Sequence, residues 1–320
     1  MTQAVTGPAK NQALICGSLA YDTIMVFNDY FKNHILADQI HKLNIAFLVP
    51  DMRREFGGVA GNIAYNLKLL GGHPVPMGVV GKDFQPYRER FERLGIPLHA
   101  VKECPEEFTA QAFITTDMDN NQITAFHPGA MNYSHDNHVS QVADISIGIV
   151  GPDGREGMIQ HATEFVECGI PFIFDPGQAM PLFDGDDLKR FIEQATWMAV
   201  NDYEYEMVAE RTGWDAPRIA RHLDALFVTR GSKGSEIFTE GTSYHIPVVE
   251  AECIKDPTGC GDAYRAGLLY GLMNGLDIQT TGRIASLLGS LKIASAGTQN
   301  HSFNLDEFHD CFKKEFGYRF

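Results

Sequence analysis

From residue 144 onward the chain alternates short apolar runs with helical patterns, and this alternation is its strongest constraint on fold. DISIGIV (144–150), PFIFD (171–175), TWMAV (196–200) and LFVT (226–229) read as strands, with helix-like spacing between them. Apolar strands separated by helices specify a parallel, doubly wound sheet of the α/β class. In such sheets ligands sit at the carboxyl ends of the strands. Here those ends run into DPG (175–177), NDYE (201–204) and TRGSKG (229–234), which should gather along one edge.

The first half of the chain carries the same signals less regularly. A strand is expected in ALICGS (13–18) and another in VPMGVVG (75–81), with a helix in FQPYRERFERLG (84–95). In GGVAGNIAYNLKLLGG (57–72), Val59, Ile63, Leu67 and Leu70 fall at helical spacing and Gly71–Gly72 supplies the stop. Residues 28–55 fit no single element. In 108–127 two β-rich runs flank DMDNN, which reads as a hairpin. We expect one domain over 1–320, with a small β lid built from insertions around 20–50 and 106–130.

Charge and cysteines narrow the function. A formal net charge of −15 argues against nucleic acid or an anionic membrane as partner. No stretch reaches the ~18 apolar residues that span a bilayer. The N-terminal MTQAVTGPAKNQ is polar and reads as no secretory signal. The six cysteines form no CxxC pair and read as reduced thiols, so a cytoplasmic location is expected.

The chemistry concentrates in DPTGCGDAYRAGLLYGL (256–272). A glycine turn opening a helix presents unpaired N–H groups to an anion. Asp262 in that turn is either a helix cap or a base. A carboxylate beside bound phosphate is tolerated if a substrate hydroxyl shares it, and Asp262 would then take that hydroxyl's proton. The small residues Ala263, Ala266, Gly267 and Gly271 allow the helix to pack closely. The common nucleotide loops are absent: Lys233 in TRGSKG is followed by Gly234, and no GxGxxG opens a helix. TRGSKG is either a plain turn or a turn over phosphates. Gly57, Gly58 and Asn62 at a second helix start either make a close backbone crossing or bind sugar hydroxyls. Asp22 is either a turn former or an acceptor for a diol. Asn201 and Glu204 are either an N-cap pair or ligands of a hydrated Mg²⁺. Phe113 and Phe126 in the hairpin are either core or a wall for a base. The histidines make no HExxH set.

Taken together, these motifs resemble the ribokinase-like (PfkB) carbohydrate kinases. GGVAGNIAYNLKLLGG resembles the first signature of that family and DPTGCGDAYRAGLLYGL the second; the order Asp22, GG…N, NxxE, TxGxxG and GxGD covers about residues 13–300. The resemblance implies a Rossmann-like α/β domain with a β lid, and ATP-dependent phosphorylation of a primary alcohol. It assigns Asp262 as base and Gly259, Cys260 and Gly261 as an anion hole. It assigns Asp22, Gly58 and Asn62 to the ribose, Asn201 and Glu204 to Mg²⁺ and phosphates, and Thr229, Gly231 and Gly234 to ATP. Asp256, Thr258 and the SAGTQ loop (295–299) stand where relatives bind a monovalent cation such as K⁺. Cys260 replaces a more usual alanine and could make the site thiol-sensitive, and Pro257 stiffens the approach to the turn. VGKDFQPYRERFERLGI and NQITAFHPGAMN resemble the bacterial and archaeal adenosine/nucleoside kinase branch. The expectation is a nucleoside kinase acting as monomer or homodimer. The alternatives are a sugar kinase and a non-catalytic binding protein of the same fold. The hairpin 108–127 holds no Lys or Arg, which disfavours a sugar phosphate.

Overall fold

The computed structural model describes residues 11–35, 44–119 and 121–320. The chain enters through β1 (Gln12–Cys16) and crosses to β2 (Ala20–Val26) and β3 (Asp51–Gly57). Then follow α1 (Val59–Leu69), β4 (Pro74–Gly81), α2 (Gln85–Leu94) and β5 (Val101–Cys104). The hairpin expected in 108–127 is β6 (Ala110–Thr116) and β7 (Gln122–His127). The regular alternation comes next: β8 (Ile145–Val150), α3 (Arg155–Glu167), β9 (Phe172–Phe174), α4 (Gly185–Gln194), β10 (Trp197–Asn201), α5 (Asp202–Thr212) and α6 (Ala216–Ala220). The last strands are β11 (Ala225–Thr229), β12 (Ser235–Thr239) and β13 (Thr242–Ile246), and α7 (Cys260–Met273), α8 (Ile278–Ile293) and α9 (Leu305–Phe316) close the chain.

Among the described residues nine strands form one sheet in the order β13-β12-β11-β10-β9-β8-β1-β4-β5. All neighbours from β11 to β5 run parallel, and only β12 and β13 are antiparallel. The doubly wound expectation therefore holds. Strand residues alternate between two buried clusters. Ala13, Ile15 and Phe227 face the layer of α1, α2, α7, α8 and α9. Leu14, Cys16, Leu226 and Val228 face α3, α4, α5 and α6. Strand order reverses between β1 and β8, and such a switch point opens a crevice at the strand ends.

A second sheet, β3-β2-β6-β7, stands apart from the first. Part of the segment left unassigned in the sequence is its strand β3. The expected lid insertion around 20–50 includes 36–43, which lie outside the described residues. Register sorts this sheet's residues onto faces, because directly paired residues point the same way. Asp22 pairs with Glu55 and Ala112, and Ala112 pairs with Phe126. Thr23 pairs with Arg54 and Phe113. Asp22, Glu55 and Phe126 therefore share one face, and Phe113 lies on the other.

Candidate active site

The site assembles where three chain segments meet. The first is the start of α1. Gly58 sits at φ +83°, and a Cβ there would lie 2.5 Å from Ala20 N and Ser18 O. Only glycine permits that crossing. The amides of Val59 and Ala60 are held by the Ser18 side chain and carbonyl at 3.1 and 3.0 Å. These two amides are thus engaged within the protein. Gly57 instead makes room: a Cβ on it would lie 2.5 Å from the Asp22 carboxylate. What this segment offers the cleft is the side chain of Asn62, which is buried rather than exposed.

The second segment is the start of α7. Gly259 adopts φ +80° and packs its open face on Thr298. The Cys260 amide donates to Pro257 O at 3.2 Å, so the turn itself uses it. Gly261 and Asp262 remain as first-turn donors at the positive end of a 14-residue helix. Burial pushes the Cys260 thiol up to about 11, and Lys292 only partly offsets this. The thiol is protonated at neutral pH, which counters the expected thiol sensitivity.

Asn62 joins the two segments, donating from Nδ2 to Asp262 Oδ2 at 2.8 Å. Gln299 in the 295–299 loop donates to Asn62 Oδ1 at 3.1 Å and to the Tyr87 hydroxyl at 2.7 Å. Tyr87 in turn donates to Gly57 O at 2.8 Å. The chain of bonds fixes the Asn62 amide so that its N–H faces the carboxylate. Burial raises Asp262 to about 7; the Asn62 hydrogen bond and Arg265 oppose this, while Asp175 and Asp22 add to it. A base near neutrality is well matched to proton abstraction at that pH. Asp22 is pushed to about 6 by burial, then by Glu55 and Asp256.

The third segment is the row of strand ends. Arg265, one turn into α7, lies 5% exposed and is bidentate to Asp175 after β9, with both bonds at 3.1 Å. Its guanidinium also donates to Ala199 O at 3.2 Å and stands 3.7 Å from Glu204. DPG and NDYE therefore do converge, on an arginine that was not singled out in the sequence. Asn201 and Glu204 form a capping box: Glu204 N donates to Asn201 Oδ1 at 2.7 Å and Asn201 N to Glu204 Oε2 at 2.8 Å. Burial, then Asp175, raises Glu204, and Arg265 opposes them. Thr229 ends β11, and Gly231 and Gly234 turn the chain into β12 at φ +54° and +81°. Arg230 and Glu236 clamp this turn at 2.6 Å.

The sequence profile of the pfkB family carbohydrate kinases matches residues 22–304. The chain belongs to that family. It is a phosphotransferase that acts on a hydroxyl group. It is 31% identical to a nucleoside kinase of Methanocaldococcus jannaschii over 292 residues, 89% of this chain and 94% of that one. The structure of Burkholderia thailandensis nucleoside kinase in complex with inosine is 54% identical and superposes with a TM-score of 0.88, covering 96% of this chain and 99% of that one. A ribokinase from Thermotoga maritima, 17% identical, shares the fold at a TM-score of 0.80 over 95% of this chain and 99% of that one. Among the described residues no helix is long and apolar enough to cross a membrane.

The Asp262 value sets an expectation for pH. Below about 7 the base is protonated, so kcat/KM should fall tenfold per unit of pH, and above it should level off. Stability should move the opposite way. Asp22 and Asp262 keep protons that the unfolded chain releases near ~4, so the fold loses support as pH rises from about 4 through 7. Rate profiles and melting curves at matched pH would check both; a rate flat from pH 5 to 8 would remove Asp262 as the titrating base.

Proposed function

We propose that the protein is a nucleoside kinase, transferring the γ-phosphoryl group of ATP to the 5′-hydroxyl of a nucleoside. The observation that carries this is the placement of Asp262. Its carboxylate is oriented by Asn62 at 2.8 Å, beside the N–H groups that open α7 and close enough to Asp22 for that residue's charge to raise its pKa. In this reading the 5′-hydroxyl donates to Asp262, and the turn Gly259, Cys260, Gly261 steadies the transferring phosphoryl group through the amides of Gly261 and Asp262, the Cys260 amide being held by Pro257 O. Asp22 and Asn62 accept and donate to the ribose hydroxyls, with Gly57 and Gly58 shaping the floor. Thr229, Gly231 and Gly234 line the ATP side.

Mg²⁺ fits the donor set of the NxxE turn. Glu204 and Asn201 offer oxygen to a hydrated ion, and Arg265 at 3.7 Å from Glu204 favours contact through water. The ion supplies charge neutralisation at the phosphates when bound. Phe126, 53% exposed on the Asp22 face, offers an aromatic surface to a base. Phe113 faces the other way and has no part in that wall. The β2-β3-β6-β7 sheet acts as a lid that excludes water from the reacting hydroxyl. The complexes of the Burkholderia thailandensis nucleoside kinase with inosine and with ADP-inosine support a nucleoside as acceptor.

The test is transfer of labelled γ-phosphate from Mg·ATP to adenosine, inosine, guanosine, cytidine, ribose, fructose and fructose 6-phosphate. We expect labelled nucleoside monophosphates, with kcat/KM for the best nucleoside at least a hundredfold above any free sugar. Labelling of sugars alone would overturn the nucleoside assignment and leave the role of Asp262 standing. Binding of a nucleoside with no transfer to any acceptor would overturn both.

A further inference from the structure

The residues expected to form a monovalent-cation site do come together, but they enclose a lysine. The α7–α8 hairpin packs Gly267 and Gly271 against Ala285 and Thr281, and so returns the end of α8 to the start of α7. Lys292, in the last turn of α8, is 0% exposed there. Lysine is almost never fully buried without partners. Its Nζ donates to Asp256 O at 2.7 Å and reaches Ser295 O at 3.4 Å. Asp256 ties the same two loops from its side chain, accepting from Thr258 N and Gly297 N at 2.9 Å each. Three residues after Asp256 the chain enters the Gly259 turn.

A bound K⁺ replaces its water with carbonyl oxygens. Here two of those oxygens already face an ammonium. A second cation about 4 Å from it, at an effective dielectric of about 20, would bind about a thousandfold more weakly. The C-terminal end of α8 further favours the fixed positive charge. The residues present therefore do not fit the ion that the resemblance implied.

We infer that the Lys292 ammonium is this kinase's built-in monovalent cation, a positioning residue that holds the Asp256 and Ser295 loops behind the anion-binding turn, so that catalysis needs no added monovalent cation. The inference rests on the kinase reading. An enzyme that transfers no phosphoryl group under any condition would refute that reading, whereas one that transfers only when K⁺ is added would refute this inference alone.

The experiment measures kcat with Tris or tetramethylammonium salts as the only monovalent cations, then with Na⁺, K⁺ or NH₄⁺ added. The wild type should change by less than threefold; a saturable rise of threefold or more with K⁺ overturns the inference, and this arm stands even if the variants do not fold. Lys292→Met keeps the buried stem and removes the charge. It should lower kcat at least tenfold while the nucleoside KM stays within threefold, whereas a folded variant with wild-type kcat would sink the idea. Lys292→Ala opens the space, and K⁺ or NH₄⁺ should restore its kcat saturably where tetramethylammonium does not. Failure of both ions to restore it would show that charge is not what was lost.

Discussion

Replacing Asp262 by Asn is expected to lower kcat by about a thousandfold, with the nucleoside KM changed by no more than a few-fold. The amide keeps the size of the carboxylate and can still accept from Asn62, now at 2.8 Å from Asp262 Oδ2. It cannot take a proton, and a positioned base contributes about 10²–10⁴ in rate. The fold should not suffer. Burial raises Asp262 to about 7, so the charged form is the disfavoured one at neutral pH, and a neutral side chain relieves that strain. The melting temperature should stay level or rise. This combination separates a base from a cap. Asn serves a helix N-terminus about as well as Asp, so a residue that only capped α7 would leave kcat untouched. Steady-state kinetics beside a thermal melt decide it, and an Asn variant with kcat within threefold of the wild type would end the assignment.

The parts of the fold that the sequence revealed are those where one local signal suffices. Parallel strands buried on both sides read as continuous apolar runs, and β8 to β11 lie within a residue or two of expectation. The hairpin β6–β7 was marked by its turn. β3 was not, because Asp51–Gly57 is a mostly polar strand whose exposed residues show no alternation. The site divides similarly. Asp262 and Asn62 lie in the first turns of helices that follow glycine turns, a local signature, whereas Asp22 lies within strand β2 and is not the turn former that the sequence also allowed. Gln299 reaches Asn62 from 237 residues away, and Arg265 reaches Asp175 from 90, distances no periodicity encodes. A signal existed nonetheless. Arg265 interrupts the small apolar run of α7, and Lys292 sits among apolar residues of α8; a charge on a buried face requires a partner. Phe113 and Phe126 look alike in the sequence because strand register is invisible in a single chain. A one-residue offset puts them on opposite faces.

The second large effect should come from Arg265→Met, and it concerns stability first. Among the described residues the guanidinium is the single cation bonded to Asp175, and it stands 3.7 Å from Glu204. Removing one member of a buried ion pair leaves its partner uncompensated, at a cost of about 3–5 kcal/mol. For a chain of this size that is a fall in melting temperature of roughly 5–10 °C. The substitution should also act on the base. Arg265 opposes the upward shift of Asp262, so without it the carboxyl titrates higher and the inflection in kcat/KM moves above 7. A purely structural arginine would lower stability and leave that inflection in place. Adding Asp175→Asn to Arg265→Met removes the stranded carboxylate, and the double variant should recover part of the lost stability, because contacting groups are not additive. It should also draw the inflection back down, since Asp175 itself pushes Asp262 up. Melting curves and pH–rate profiles on Arg265→Met, Asp175→Asn and the double variant, beside the wild type, form one cycle. An Arg265→Met enzyme with an unmoved inflection would confine the arginine to holding the strand ends together.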